Sequence, residues 1–182
     1  MIYPEREIQL KNGRTAVLRS PGAADAEAMV NYMIAMSAET EFVGRYPEEI
    51  RETPEHEAEF LEKNRESKNS IQISAFVDGC LAANASISPF SERMKLRHRA
   101  DFGIAVLEPY WGLGLGNELT FACIDMAREM GFTQVELSLL ATNEKGLNLY
   151  RKAGFTLWGR LEKGFRLKSG AYEAELYMVK YL

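Results

Sequence analysis

Three observations predict an α/β domain of the α+β kind, with a mixed, mostly antiparallel central sheet flanked by helices. Alternating apolar and polar residues run up to and away from three short turn signals, Asn12-Gly13, Asp78-Gly79 and Ser169-Gly170, each of which reads as a hairpin. Between the hairpins, apolar residues recur at helical spacing. A glycine-rich junction, "GIAVLEPYWGLGLGNEL" from Gly103 to Leu119, joins a strand-like run to a helix-like one.

Taken in order, residues 7–10 and 15–19 pair as strands about Asn12-Gly13. Ser20-Pro21-Gly22 breaks that pattern. Residues 25–38 then place Ala28, Met29, Tyr32, Met33 and Met36 on one helical face, where methionines suit a core. After an irregular stretch, Thr53 as N-cap and Pro54 as first helical residue open a helix running to about residue 67. Residues 71–77 and 81–88 form the second hairpin. A polar loop follows, with Lys95, Arg97 and Arg99 as a basic cluster, and then a strand over 101–106. The helix after the glycine loop runs to Met130 and stops at Gly131. Residues 134–140 read as strand and 143–153 as helix, and 155–168 with 171–180 form the last hairpin. No repeat, linker or low-complexity segment interrupts the 182 residues, so residues 1–182 are expected to form one domain.

Composition narrows the function. A hydrophobic fraction of 46% with 26% charged residues is that of a chain that folds. A formal net charge of −4 argues against nucleic-acid binding through a broad basic face, so an anionic ligand needs a local site. Glu5, Arg6 and Glu7 stand where a signal peptide would be apolar, and no stretch is long enough to span a membrane; a cytoplasmic protein without membrane contact is expected. Cys80 and Cys123 build no disulfide framework and read as inert core residues. With only His56 and His98, both read as solvated surface, no metal-ligand spacing appears and none is expected.

The glycine loop is the local site. A backbone without Cβ atoms admits close approach, and a helix starting in the loop aims free N–H groups and a partial positive charge at an anion. A nucleotide-hydrolase phosphate loop would end Gly-Lys-Ser/Thr, whereas Gly116 is followed by Asn117-Glu118. A dinucleotide fingerprint needs its third glycine three positions after the second, whereas Gly112, Gly114 and Gly116 are evenly spaced by two. Glycines serving only a tight turn and close packing are the bland alternative. A third reading, the pyrophosphate of coenzyme A, comes with a family resemblance.

Here the sequence resembles the GCN5-related N-acetyltransferase (GNAT) superfamily. The signature Gln/Arg-x-x-Gly-x-Gly/Ala falls on Trp111-Gly112-Leu113-Gly114-Leu115-Gly116, after the strand "DFGIAV". A second block, "ATNEKGLNLYRKAGF", carries Asn143, Tyr150 seven residues later and a Gly-Phe exit. Trp111 departs from the signature's Gln/Arg, and Leu113 stands where a basic residue is frequent; a cradle of backbone amides tolerates both, but the hold on the adenosine end is altered. Lys145, Arg151 and Lys152 are candidates for charge there.

The resemblance implies acetyl-CoA as cosubstrate, with residues 111–117 (Trp111, Gly112, Leu113, Gly114, Leu115, Gly116, Asn117) gripping its diphosphate and the backbone of Ile104 to Val106 pairing with the pantetheine arm. It implies that Asn143 hydrogen-bonds that arm and that Tyr150 is the general acid at the sulfur. Seven residues are about two helical turns, so one ligand can meet both. Asp101 stands where the family frequently places a glutamate base, one methylene shorter, so that a bridging water is called for. Glu108 and direct deprotonation by solvent are the rivals. For the amine acceptor, the segment "SAETEFVGRYPEEI" and the strands of the last hairpin are expected to line the site, with Glu39, Tyr46, Glu48 and Glu49 as candidate attractors.

The function expected is acetyl transfer to a primary amine, of a small molecule or a protein N-terminus, by direct attack in a ternary complex, since no activated cysteine or serine is visible. A non-catalytic acyl-CoA sensing module is the alternative from another class, and a dinucleotide oxidoreductase the third. Exposed sheet edges fit a homodimer.

Overall fold

The computed structural model describes residues 1–182. Eight strands form one sheet in the order β1-β2-β3-β4-β5-β6-β8-β7. They span Arg6–Gln9 (β1), Thr15–Arg19 (β2), Ile71–Val77 (β3), Cys80–Pro89 (β4), Arg99–Val106 (β5), Gln134–Leu140 (β6), Thr156–Arg166 (β7) and Tyr172–Tyr181 (β8). Four helices cover it: Ala26–Glu39 (α1), Pro54–Glu66 (α2), Leu115–Glu129 (α3) and Glu144–Lys152 (α4). None is long and apolar enough to cross a membrane.

Local chemistry sets these bounds. At the Asp78-Gly79 turn both residues take positive φ, 50° and 79°, the pairing that a two-residue hairpin of matching twist requires. The Thr53 hydroxyl accepts the His56 N–H and Pro54 fills the first turn, so α2 starts where the cap places it. The Asn143 side-chain amide oxygen accepts the Gly146 N–H at 2.9 Å and starts α4.

All neighbouring strands run antiparallel except β5 and β6. That parallel pairing lasts only from Arg99–Gln134 to Asp101–Glu136. Beyond it β6 stays paired with β8 to Leu140 and β5 stays paired with β4 to Val106, so the two strands part and their facing edges are open. The Arg99 guanidinium grips the Glu136 carboxylate through two nitrogens at the last paired level, which assigns Arg99 to a strand and an ion pair rather than to the basic loop cluster the sequence suggested.

The main core, a cluster of 29 buried residues, lies between the sheet and α3, whose Leu115, Leu119, Cys123, Ile124 and Ala127 are fully covered. On the opposite face α1 and α2 enclose a cluster of only 6. That face is therefore under-filled, and space remains beside it. Cys80 opens β4 right after the hairpin turn and is exposed, which corrects its reading as a core residue; Cys123 is buried, and burial pushes its thiol pKa up.

Arg99 beside Glu136 holds that carboxyl below its ordinary range, with burial opposing. A group depressed in this way stabilises the fold above the unfolded carboxylate pKa, about 4, and the contribution fades as pH falls through the folded value. Arg99→Met should therefore cost about 1–3 kcal/mol at neutral pH. Urea midpoints should show that difference shrinking under acid conditions.

Candidate active site

A cleft of about 870 Å³ opens where β5 and β6 part. One side is built by β5 (Phe102 to Val106), the glycine loop, and Asn143, Lys145, Leu149 and Tyr150 of the α4 region. The other is built by α1, α2 and the segment between them. The floor carries polar side chains that share one sheet face, Gln72, Asn84, Ser86 and Ser138, with Gly103 among them.

The glycine loop is held open by two left-handed residues, Gly112 (φ 76°) and Gly114 (φ 106°), conformations that an L side chain strains. Gly116 serves differently: a Cβ there would lie 3.3 Å from Leu149 of α4. The Leu113 carbonyl accepts the Lys11 N–H, which ties the loop to the first hairpin. In consequence the N–H groups of Gly112, Leu113, Gly114, Leu115 and Gly116 donate to no protein acceptor. Consecutive free amides ahead of a 15-residue helix suit a diphosphate. The amides at either end are already spent, Trp111 on Glu108 and Asn117 on Gly114, so the free stretch is narrower than residues 111–117.

Trp111 uses its side chain instead. Its indole N–H donates to the Val106 carbonyl at 2.6 Å, and the Lys145 ammonium lies 4.5 Å from its ring centroid. Both line the cleft mouth, whereas Arg151 and Lys152 do not.

Ile104, Val106, Asn143 and Tyr150 all face the cleft. The Asn143 side-chain oxygen is occupied by its capping bond, and a Cβ at Gly146 would come within 2.9 Å of the Asn143 side-chain nitrogen, so the cap depends on that glycine. Tyr150 is buried, its ring packed edge-on against Phe102 (6.1 Å) and Phe155 (5.9 Å), and burial pushes its pKa to about 12. It therefore keeps its proton throughout the neutral range.

Asp101 does not line the cleft. It lies two residues before Gly103, on the same face of β5 and level with Glu136. Burial and the Glu136 charge raise its pKa, while Arg99 opposes. Glu108 is also outside the cleft; its N–H is held by the Glu39 carboxylate.

The acceptor-side expectation divides. Thr40, Phe42, Val43, Gly44 and Arg45 from the irregular segment do line the cleft, but no residue of β7 or β8 does. Glu39, Tyr46, Glu48 and Glu49 are engaged elsewhere. Glu48 pairs with Lys168, the Tyr46 hydroxyl accepts the Lys168 N–H, and Glu49 accepts the Tyr46 N–H. Sequence reasoning did not assign to the site the residues that face the cleft from α1 and α2, Tyr32, His56, Glu57 and Phe60, or Glu52 from the segment between these helices. His56 is thus exposed at a cleft wall rather than on featureless surface. The Tyr32 hydroxyl is inserted into the β4–β5 ladder, accepting the Asn84 N–H (3.1 Å) and donating to the Ala105 carbonyl (2.7 Å).

Residues 33–155 match the model of the acetyltransferase (GNAT) family. The chain belongs to the GNAT family. As a member it is an N-acetyltransferase with acetyl-CoA as the donor. Among curated relatives, the L-amino acid N-acetyltransferase AaaT of Escherichia coli (strain K12) is 28% identical over 110 residues, 60% of this chain and 67% of that one. The spermidine N(1)-acetyltransferase of the same strain is 31% identical over 108 residues, 57% of this chain and 55% of that one. A GNAT acetyltransferase structure from Streptococcus pneumoniae superposes with a TM-score of 0.88 at 29% identity, covering 92% of this chain and 99% of that one. In a GNAT enzyme, amides left free ahead of α3 fit a diphosphate, and no group of side chains suited to a metal ion accompanies them.

Gly114→Ala should cost about 1–2 kcal/mol in stability through strain at positive φ. Calorimetric titration of the variant with acetyl-CoA should show an affinity at least about tenfold weaker, because the loop amides lose their alignment.

Proposed function

We propose that this enzyme acetylates a primary amine by direct attack within a ternary complex, in a single domain spanning residues 1–182. The observation that carries this reading is the coincidence of the free Gly112–Gly116 amides, the open edge of β5 and the Tyr150 hydroxyl on one cleft.

Bound acetyl-CoA supplies an acetyl group activated as a thioester. Its diphosphate is assigned to the loop amides, and its pantetheine arm to the backbone of Ile104 to Val106, which lacks a strand partner on the β6 side. The Val106 carbonyl is held by Trp111, which fixes the edge the arm meets. The Asn143 amide group borders the same path, and Lys145 stacked on Trp111 is placed to meet the adenosine end. The amine must arrive neutral. Asp101 takes the departing amine proton through a water, since it stands one pleat from Gly103 and no ion pair satisfies it. As the N–C bond forms and the C–S bond breaks, backbone N–H groups near Ile104 steady the oxyanion, and Tyr150 donates its proton to the leaving thiolate. Burial raises the Tyr150 pKa to about 12, so the phenol keeps its proton at neutral pH until the thiolate forms beside it. Cys123 takes no part: it is buried in the core between α3 and the sheet, does not line the cleft, and burial raises its thiol pKa. A cytoplasmic location and self-association through exposed sheet edges complete the reading.

Tyr150→Phe should lower kcat by about 100-fold while changing acetyl-CoA affinity less than about twofold; equal turnover would remove Tyr150 from the chemistry. Asp101 is raised by burial, so kcat/KM should fall on acidification through a pKa above the ordinary aspartate value of about 3.9. Asp101→Asn should abolish that limb, which thiol release across a pH series measures.

A further inference from the structure

The half of the cleft facing α1 and α2 contains two sets of hydrogen-bond acceptors with nothing to accept from. Glu57 is 5% exposed, lines the cleft, and has no ion-pair or hydrogen-bond partner for its carboxylate. The neighbouring cation is spent: Arg45 pairs with Glu52 at 2.6 Å. The Gln72 side-chain carbonyl oxygen, also on the cleft, is fully buried and unpaired. Lys145, the other cation on the cleft wall, stands at the far end against Trp111.

Leaving the Gln72 amide oxygen buried and unmatched is costly, and a carboxylate enclosed at the cleft wall without a counter-charge is disfavoured, with nothing given back to the fold. Burial and the nearby Glu52 charge accordingly raise the Glu57 pKa, with Arg45 opposing. Both groups call for an N–H donor, and the carboxylate calls for a cation. The protein provides neither, so the donor belongs to the ligand.

The nitrogen that is acetylated does not fill this role. It must shed its charge to attack, and it ends as an amide. Position points the same way. Gln72 pairs with Ser86, and Ser86 with Gly103 at the edge where β5 leaves β6. Two strand spacings separate Gln72 from that edge, roughly 10 Å, and subtracting a hydrogen bond leaves about 7 Å between a nitrogen held at Gln72 and one at the edge. Met29, Met33 and Phe60 line the same half of the cleft and suit a hydrocarbon chain.

We propose that the acceptor is an aliphatic diamine, whose second nitrogen stays cationic and docks on Glu57 and Gln72 while the first is acetylated. An α-amino acid with an uncharged side chain, such as leucine, fits poorly, because it brings a carboxylate beside the reacting nitrogen and no cation to Glu57. This inference rests on the amine-acetyltransferase reading.

The test follows thiol release from acetyl-CoA by the full chain with putrescine, cadaverine, n-butylamine and leucine. The diamines should exceed n-butylamine and leucine in kcat/KM by at least about tenfold. Glu57→Gln should erase most of that preference through KM, Glu57→Asp should restore part of it, and acetyl-CoA affinity should not move. Without acetyl-CoA, putrescine should raise the melting temperature of the native chain but not of Glu57→Gln. Equal use of butylamine and putrescine, or a preference that survives Glu57→Gln, overturns the diamine assignment and leaves amine acetylation standing. Binding of acetyl-CoA with no release for any amine overturns the reading beneath it, and this inference with it.

Discussion

The early end of the parallel pairing between β5 and β6 is the constraint on which the rest of the molecule turns. A sheet that closed fully would satisfy every backbone group and leave no edge for a ligand. Here the ladder stops at Asp101 and Glu136, clasped by Arg99, and each strand is then pulled to its other neighbour. β8, inserted between β6 and β7, matters for this reason: it holds β6 along its whole length so that β6 can diverge without fraying. The opened edge costs backbone hydrogen bonds in the free protein, and a bound arm is positioned to restore them.

The glycine loop sits at the top of that opening and repeats the logic. Its two left-handed glycines turn consecutive amides away from protein acceptors, a geometry that is unfavourable without an anion and needs firm support. Support comes from below, where Leu115 and Leu119 anchor α3 in the larger core, and from the side, where Gly116 lets Leu149 pack close. The donor half of the cleft is thus rigid because the dense core lies beneath it. The acceptor half is lined by methionines and loop residues over the smaller cluster, which gives it room to admit a ligand.

Much of this was legible in the sequence wherever one residue type answers one local demand. Asn12-Gly13, Asp78-Gly79 and Ser169-Gly170 marked the hairpins, Thr53-Pro54 and Asn143 marked helix starts, and the spaced glycines marked the loop. What escaped was set by contacts distant in the chain. Arg99 looked like part of a basic loop because its partner, Glu136, is 37 positions away. Cys80 was read as core because two cysteines build neither a disulfide framework nor a metal site, whereas its place right after the hairpin turn exposes it. The acidic run from Glu39 to Glu49 drew attention by density, yet those carboxylates hold loops together. Glu57, a single acid in a helix rich in acids, carries no local mark; only the enclosure by α1 and the sheet distinguishes it from Glu55 or Glu59. Gln72 alternates regularly with Ile71 and Ile73, as a solvent-facing strand residue would, so the sequence carried no sign that α1 and α2 cover its face.

The Tyr32 hydroxyl wedged between Asn84 and Ala105 has a mechanical consequence. It bolts α1 directly to the main chain of β5 beside the residues that border the donor's arm. Any tilt of α1 when an acceptor slides under it must drag on the Ala105 carbonyl, and a filled donor channel must in turn stiffen α1. The two substrates would then sense each other through one phenol, so the order in which they load becomes a property of the sheet itself.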